Sequence, residues 1–268
     1  MAALQGGLKH YDFHTHIGQY WNVFYDWHDV FRALKKNGVD GAICAYLTPK
    51  FDDERVAVEF FHAVTEEWRK ALAFASSIFL DVKPLLWADP LVFKAGIKIE
   101  DAFSDFDFYG IALHPRLHDW VSDRKSDLTT IIFQFAHNNK VPVFIHTGVS
   151  EEDSPYLFEP WFKQFPDVEV HLAHCKDSAP IIDLFTKYKN LFGDTAFCPT
   201  DSYGEICDAG FKNRMFFGSD FPITHFVNLN ESEREKKELQ PSFKELKDNY
   251  EMSLAENAIL LSGCMICL

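Results

Sequence analysis

Long hydrophobic runs are missing from this sequence. No stretch of about 18 apolar residues occurs, so no membrane-spanning helix is expected. Met1 to Lys9 is short and mixed in character, and no secretory leader is read there. Basic residues are scarce: 26 Lys and Arg stand against 40 Asp and Glu, for a formal net charge of -14. Nucleic acid is excluded as a partner on that ground, because a phosphate backbone needs a basic face. An anionic membrane surface is disfavoured for the same reason. A disulfide framework is also lacking. The six cysteines, at 44, 175, 198, 207, 264 and 267, are scattered among apolar segments, as reduced thiols of a cytoplasmic protein are. Cys264 and Cys267 form a C-x-x-C near the C-terminus, without a second such pair and without the strand-helix context of a redox site. No internal repeat, low-complexity tract or linker interrupts the chain, so residues 1–268 read as one domain.

What the chain does have is apolar and aromatic mass. Hydrophobic residues make up 47% of it, with 27 Phe, enough to bury a sizeable core. Strand-like runs alternate with helical patterns along nearly the whole length, which predicts βα units and a parallel sheet. Strands are expected at Lys9 to His14, Val39 to Leu47, Val82 to Trp87, Phe108 to Leu113, Val141 to Ile145, Val168 to Ala173, Leu191 to Phe197 and Met215 to Gly218. Helical spacing falls between them. Val30, Phe31 and Leu34 repeat before Gly38, and Val56, Phe60, Val64 and Trp68 repeat after a capping Asp52 or Asp53. Leu91 to Phe103 is a poorly defined helical stretch, and Phe243 to Leu261 reads as a terminal helix. Eight such units predict an α/β fold of the (β/α)8 TIM-barrel type.

The chemistry-bearing residues sit at the ends of these strands. His14 and His16 lie two apart, and residues i and i+2 of a strand share a face, so both imidazoles can aim at one metal ion. Strand four ends in His114, strand five in His146, strand six in His174 and strand eight in Asp220. In barrels of this type the active-site groups come from the C-terminal strand ends. Three histidines and a carboxylate around one ion form a common catalytic zinc pattern that leaves room for water. His171 lies three residues before His174 and competes with it. Alternation puts the two on opposite faces, and the strand end favours His174.

The runs YDFHTHIG, GIALHPR, VPVFIHTG, VHLAHC and FFGSDFP, in this order between Tyr11 and Pro222, resemble the amidohydrolase superfamily. They are most similar to its amidohydrolase-related branch, which also includes aminocarboxymuconate-semialdehyde decarboxylase. The resemblance implies that His14, His16, His146 and Asp220 bind one metal, Zn²⁺ before other divalent ions. It also implies that His174 is the catalytic histidine beside the metal-bound water, with Asp220 taking a proton from that water. Zinc lowers the pKa of bound water from 15.7 to roughly 7, which makes this coherent chemistry at neutral pH. One departure stands out. Many relatives carry a lysine two residues before the His-Pro, where this chain has Ala112, so a bridged two-metal site is not expected.

The reading that follows is a metal-dependent hydrolase of a small, anionic molecule. Arg116 is a candidate clamp for a substrate carboxylate and His114 a candidate wall of the pocket. A surface salt bridge at Arg116 and a hydrogen bond within the strand end at His114 are the plain alternatives. Two other functions use the same residues: non-oxidative decarboxylation, and ligand binding without turnover. The partner is expected to be a small-molecule substrate; the sequence allows self-association without arguing for it.

Overall fold

A computed structural model of the chain describes residues 9–118, 120, 127–234 and 239–256. The strands are β1 (Tyr11–Tyr20), β2 (Val23–Tyr25), β3 (Gly41–Leu47), β4 (Asp81–Trp87), β5 (Gly110–Leu113), β6 (Val143–Ile145), β7 (Val170–Leu172), β8 (Leu191–Asp194) and β9 (Met215–Phe216). They form one nine-stranded sheet in the order β2-β1-β3-β4-β5-β6-β7-β8-β9. Neighbours are parallel except β1 and β2, which make an antiparallel hairpin. The first strand thus runs six residues past the His14 end expected for it and turns back at Trp21, whose φ is 51°. At Gly18 (φ 92°) a Cβ would come within 2.5 Å of the Tyr46 ring, so only glycine fits where β1 crosses the end of β3.

Helices join the strands. In α1 (Trp27–Lys36) the Asp26 carboxylate caps the His28 N–H, and Trp27, Val30, Phe31 and Leu34 are buried on one stripe. Asp53 caps α2 (Glu54–Ser77) in the same way. Its buried face differs from the one expected: Val56 is exposed, and Ala57, Trp68, Ala71 and Ala75 face the sheet. Small residues there let a long helix lie close to the strands, and this packing carries α2 beyond Leu72. The ill-defined stretch after β4 resolves into α3 (Pro90–Lys94) and α4 (Ile99–Asp105), separated at Gly96, whose φ is 99°. The later helices are α5 (Asp127–Asn139), α6 (Glu159–Gln164), α7 (Ser178–Lys187), α8 (Thr200–Ile206), α9 (Ile223–Asn228), α10 (Glu231–Arg234) and α11 (Phe243–Glu256). No helix among the described residues is long and apolar enough to cross a membrane. The Cys264–Cys267 pair and the end of the expected terminal helix lie outside the described residues.

Two apolar clusters follow from strand alternation. The larger packs the helices on the sheet's outer face. The smaller, with Phe13, Ile43, Ala45, Leu85, Ala112, Phe144 and Phe216, fills the concave face. The two ends of the strand row approach each other. The Phe13 N–H bonds the Phe217 carbonyl (2.8 Å), the Asp220 N–H the His14 carbonyl (2.9 Å) and the His16 N–H the Phe221 carbonyl (2.7 Å). One parallel bridge pairs Thr15 with Phe221. The sheet is therefore curled and mostly parallel, as in an α/β fold. The ladder itself remains an open row of nine, so the closed eight-stranded barrel expected from the sequence is met only to that extent.

Candidate metal centre

The approach of the row's ends builds the site. Asp220 follows β9 in a left-handed conformation (φ 56°), held by its N–H bond to His14, and this turn points its carboxylate back over β1. His14 Nε2 and His16 Nε2 lie 3.1 Å apart. Asp220 Oδ1 is 3.4 Å from the first and 2.9 Å from the second. His14 Nδ1 donates to Asp194 Oδ2 at 2.9 Å, which leaves the Nε2 lone pair for the shared space. Two imidazole nitrogens and a carboxylate oxygen this close need positive charge between them. In the protein alone a proton supplies it. Burial opposes a charged His14, but the carboxylates of Asp194 and Asp220 outweigh burial and lift its pKa to about 9. Burial would raise the pKa of Asp220, yet His14 and His16 hold it well below the usual carboxylate range. His16 is lowered by burial and stays neutral. A divalent cation satisfies the same charge pattern, and a carboxylate–histidine pair behind the ligand is what such ions ordinarily have. The residues present fit a metal.

The other candidates stand close by. His174 and Cys175 leave β7 with positive φ, 72° and 38°. The His174 N–H is held by Asp194 Oδ1 at 3.0 Å, so one carboxylate fixes both His14 and His174. His174 Nδ1 lies 3.0 Å from the Ala196 carbonyl, which can only accept, and this places the ring proton on Nδ1 and a lone pair on Nε2. Burial pushes its pKa down to about 4, so the ring is neutral at physiological pH. His146 Nδ1 sits 3.0 Å from that Nε2. The His146 ring stacks on His114 with centroids 3.8 Å apart, and burial holds both well below the ordinary histidine value.

Of the four ligands expected, the structure brings His14, His16 and Asp220 into one group, while His146 lines the same cleft with its Nδ1 turned to His174. The cleft has a cavity volume of ≈ 100 Å³ and is lined by His114 and His174 as well as these residues. Arg116 does not line it. Its side chain is 59% exposed and its Nε lies 3.5 Å from Oδ2 of buried Asp153. His171 does not oppose His174 across the sheet as alternation suggested. It stacks on Phe144 deeper in the concave face (4.5 Å), because the left-handed turn at His174 breaks the strand's two-residue period. His118 and His225 pack rather than face the cleft, meeting Trp87 Nε1 and the Tyr25 hydroxyl.

Two acidic residues escaped sequence reasoning. Asp194 ends β8, a signal present in LFGD but masked by extending that strand to Phe197. Asp12 is fully buried and accepts four hydrogen bonds: the N–H groups of His14 (3.1 Å) and Ser219 (3.0 Å), and the hydroxyls of Ser219 (2.6 Å) and Tyr250 (2.7 Å). It ties β1 to the segment bearing Asp220 and both to α11.

Comparison with known proteins agrees with this geometry. The sequence profile of the family described as Amidohydrolase matches residues 11–245. No curated protein matches the chain. Among solved structures, a probable 2-pyrone-4,6-dicarboxylic acid hydrolase from Acinetobacter baumannii with citric acid bound is similar at 11% identity, with a TM-score of 0.57 over 93% of this chain and 94% of that one. A 2,6-dihydroxybenzoate decarboxylase from Rhizobium is similar at 12% identity, with a TM-score of 0.57 over 94% of this chain and 100% of that one. A dihydroxybenzoic acid decarboxylase from Polaromonas sp. JS666, with bound manganese and 2-nitroresorcinol, is similar at 11% identity, with a TM-score of 0.58 over 93% of this chain and 97% of that one. At these identities the likeness is one of fold, and it is the profile, spanning both the H-x-H strand and Asp220, that shows the chain to belong to the amidohydrolase family.

Proposed function

We propose that the chain closes as a single-domain (β/α)8 barrel, holds one Zn²⁺ on His14, His16, His146 and Asp220, and hydrolyses a small, anionic molecule. The observation that carries this reading is the convergence of His14 Nε2, His16 Nε2 and Asp220 Oδ1 in one cleft that His146 and His174 also line. A divalent ion bound there would polarise a carbonyl and acidify a water. The protein's own groups divide the remaining work. Asp220 is ionised and can accept a proton on its carboxylate. His174 has its Nδ1–H committed to Ala196, so Nε2 is the atom that takes a proton and hands it to a leaving group. Ala112 offers no side chain to bridge a second ion, which supports one metal per chain.

A decarboxylase built on the same residues is the second reading, and the dihydroxybenzoate decarboxylases among the similar folds favour it. Both reactions use the same ligands and the same proton-handling His174, so the products separate them. The test loads the protein with zinc or manganese, measures metal per chain, and assays lactones, amides and aromatic carboxylic acids, following carboxylate formation and carbon dioxide separately. One tightly held ion and turnover of a lactone or amide are expected. In His174→Ala the rate should fall about 10²–10⁴-fold with metal content intact. Loss of metal from that variant would make His174 a ligand and overturn the assignment.

A further inference from the structure

Asp153 is buried in the loop after β6, and its two carboxylate oxygens are used unequally. Oδ2 accepts from Ser150 Oγ (3.1 Å) and meets Arg116 Nε (3.5 Å). Oδ1 accepts no hydrogen bond among the described residues, although a buried polar atom ordinarily finds a partner. It lies 3.9 Å from His146 Nε2. The neighbouring imidazoles explain why no hydrogen bond forms there. His174 keeps its ring proton on Nδ1 for the Ala196 carbonyl, so its Nε2 can only accept. The 3.0 Å contact between that Nε2 and His146 Nδ1 therefore needs the proton on His146 Nδ1. Burial keeps the His146 ring neutral, so its Nε2 is then a bare lone pair. His146 Nε2 and Asp153 Oδ1 face each other as two acceptors with no proton between them.

We propose that Asp153 is the positioning residue for His146: when His146 gives Nδ1 to the metal, the ring proton moves to Nε2 and Asp153 Oδ1 accepts it in a hydrogen bond. This rests on the metal-centre reading above, in which His146 is a ligand. The change is tautomeric. One ring nitrogen loses the proton that the other receives, and the ring stays neutral. It mirrors His14, whose Nδ1–H goes to Asp194 and whose Nε2 faces the metal centre. It also withdraws the hydrogen bond that His174 Nε2 accepts from His146, which leaves that atom open for a proton of the reaction. Ser150 and Arg116 hold the carboxylate by its other oxygen and leave Oδ1 for the ring.

The experiment follows the imidazole nitrogens of ¹⁵N-histidine-labelled protein by NMR as zinc is added, with His146 assigned from His146→Gln. The His146 proton should sit on Nδ1 without zinc and on Nε2 once zinc is bound. Asp153→Asn keeps the shape of the side chain and reverses its message. The amide oxygen has to face the Ser150 and Arg116 donors, so the NH₂ meets His146 Nε2 and holds the Nδ1–H tautomer. Zinc affinity by chelator competition should fall about 10–100-fold in that variant, with wild-type stoichiometry at saturation. Arg116→Gln breaks the ion pair but spares the carboxylate, and should keep the proton shift and an affinity within about threefold of wild type. Four results would overturn the proposal: a His146 proton that stays on Nδ1 in zinc-loaded wild type, wild-type affinity in Asp153→Asn, a loss in Arg116→Gln as large as in Asp153→Asn, or a second zinc ion that depends on Asp153. Zinc content of wild type and His14→Ala is read alongside. Zinc that is held by wild type and lost in His14→Ala, while His146 keeps its Nδ1 proton, sinks the Asp153 assignment alone, whereas wild type that holds no zinc sinks the metal centre.

Discussion

Replacing Tyr250 with Phe removes one hydroxyl from the base of the site and almost nothing else. The ring stays, packed edge-to-face on Phe221 with centroids 4.8 Å apart. What changes is Asp12, which loses the 2.7 Å bond from Tyr250 and keeps its three other donors. Burial lifts the Asp12 pKa to about 6, so at pH 7.5 the wild-type carboxylate is ionised, and the lost bond is one to a charged group. Such bonds contribute about 1.5–3 kcal/mol, and a buried carboxylate cannot recruit bulk water in exchange. In a chain of this size that corresponds to a fall in Tm of roughly 3–12 °C. The pH dependence has a definite sign. Asp12 binds its proton more tightly folded than unfolded, so stability falls as pH rises from the unfolded value toward about 6. Removing a donor that favours the charged form raises the folded pKa further. The deficit of Tyr250→Phe should therefore be small at pH 4 and reach its full size above pH 7. Thermal unfolding followed by circular dichroism between pH 4 and 8 measures this directly, with metal content as the control, since the two N–H bonds that hold the ligand-bearing backbone are untouched. A Tm within 1 °C of wild type at pH 7.5, or a deficit that shrinks with rising pH, would refute the claim that Asp12 is an ionised clamp joining α11 to β1 and the segment bearing Asp220.

Further tests probe the groups around it. Arg116 is held by Asp153 outside the cleft, so Arg116→Lys should leave metal content and kcat/KM for a carboxylate substrate within about twofold of wild type, and a loss of about tenfold would place the guanidinium on the substrate. At Gly218 a Cβ would stand 2.8 Å from that of His14 and 3.1 Å from that of Asp194. Gly218→Ala should therefore push the His14–Asp194 pair apart and cost about 10–100-fold in metal affinity by chelator competition, and wild-type affinity would show that the pair does not orient the ligand. Metal uptake should also depend on pH. His14 carries a proton up to about pH 9 in the metal-free protein, whereas His16 is neutral and Asp220 already ionised, so each bound ion displaces one proton. Apparent affinity should rise about tenfold per pH unit from pH 7 to 9 and then level, and a flat profile would mean that His14 is not a ligand.

How much of this was legible in the sequence depends on whether the signal was local. The H-x-H pair was readable because two residues of a strand share a face whatever the rest of the fold does. Asp220 was readable because it closes a strand-like run, although its aim depends on a left-handed turn at a residue that carries no glycine to announce it. The same kind of turn at His174 overrode strand alternation, which is why His171 was wrongly placed on the opposite face. The groups that went unread are those whose roles are set by partners far along the chain. Asp194 meets His14 across 180 residues, and Asp12 meets Ser219 across 207 and Tyr250 across 238. Arg116 illustrates the limit from the other side. Its position after His114-Pro115 made it a candidate clamp for a substrate carboxylate, yet its guanidinium meets Asp153, which the loop after β6 delivers. A ligand can be read from its own strand, but the carboxylates that orient ligands and occupy cations become visible only when the strands are side by side. The division of labour at this site follows from that: the candidate ligand histidines are specified locally, and their protonation and aim are specified by acids from elsewhere in the sheet.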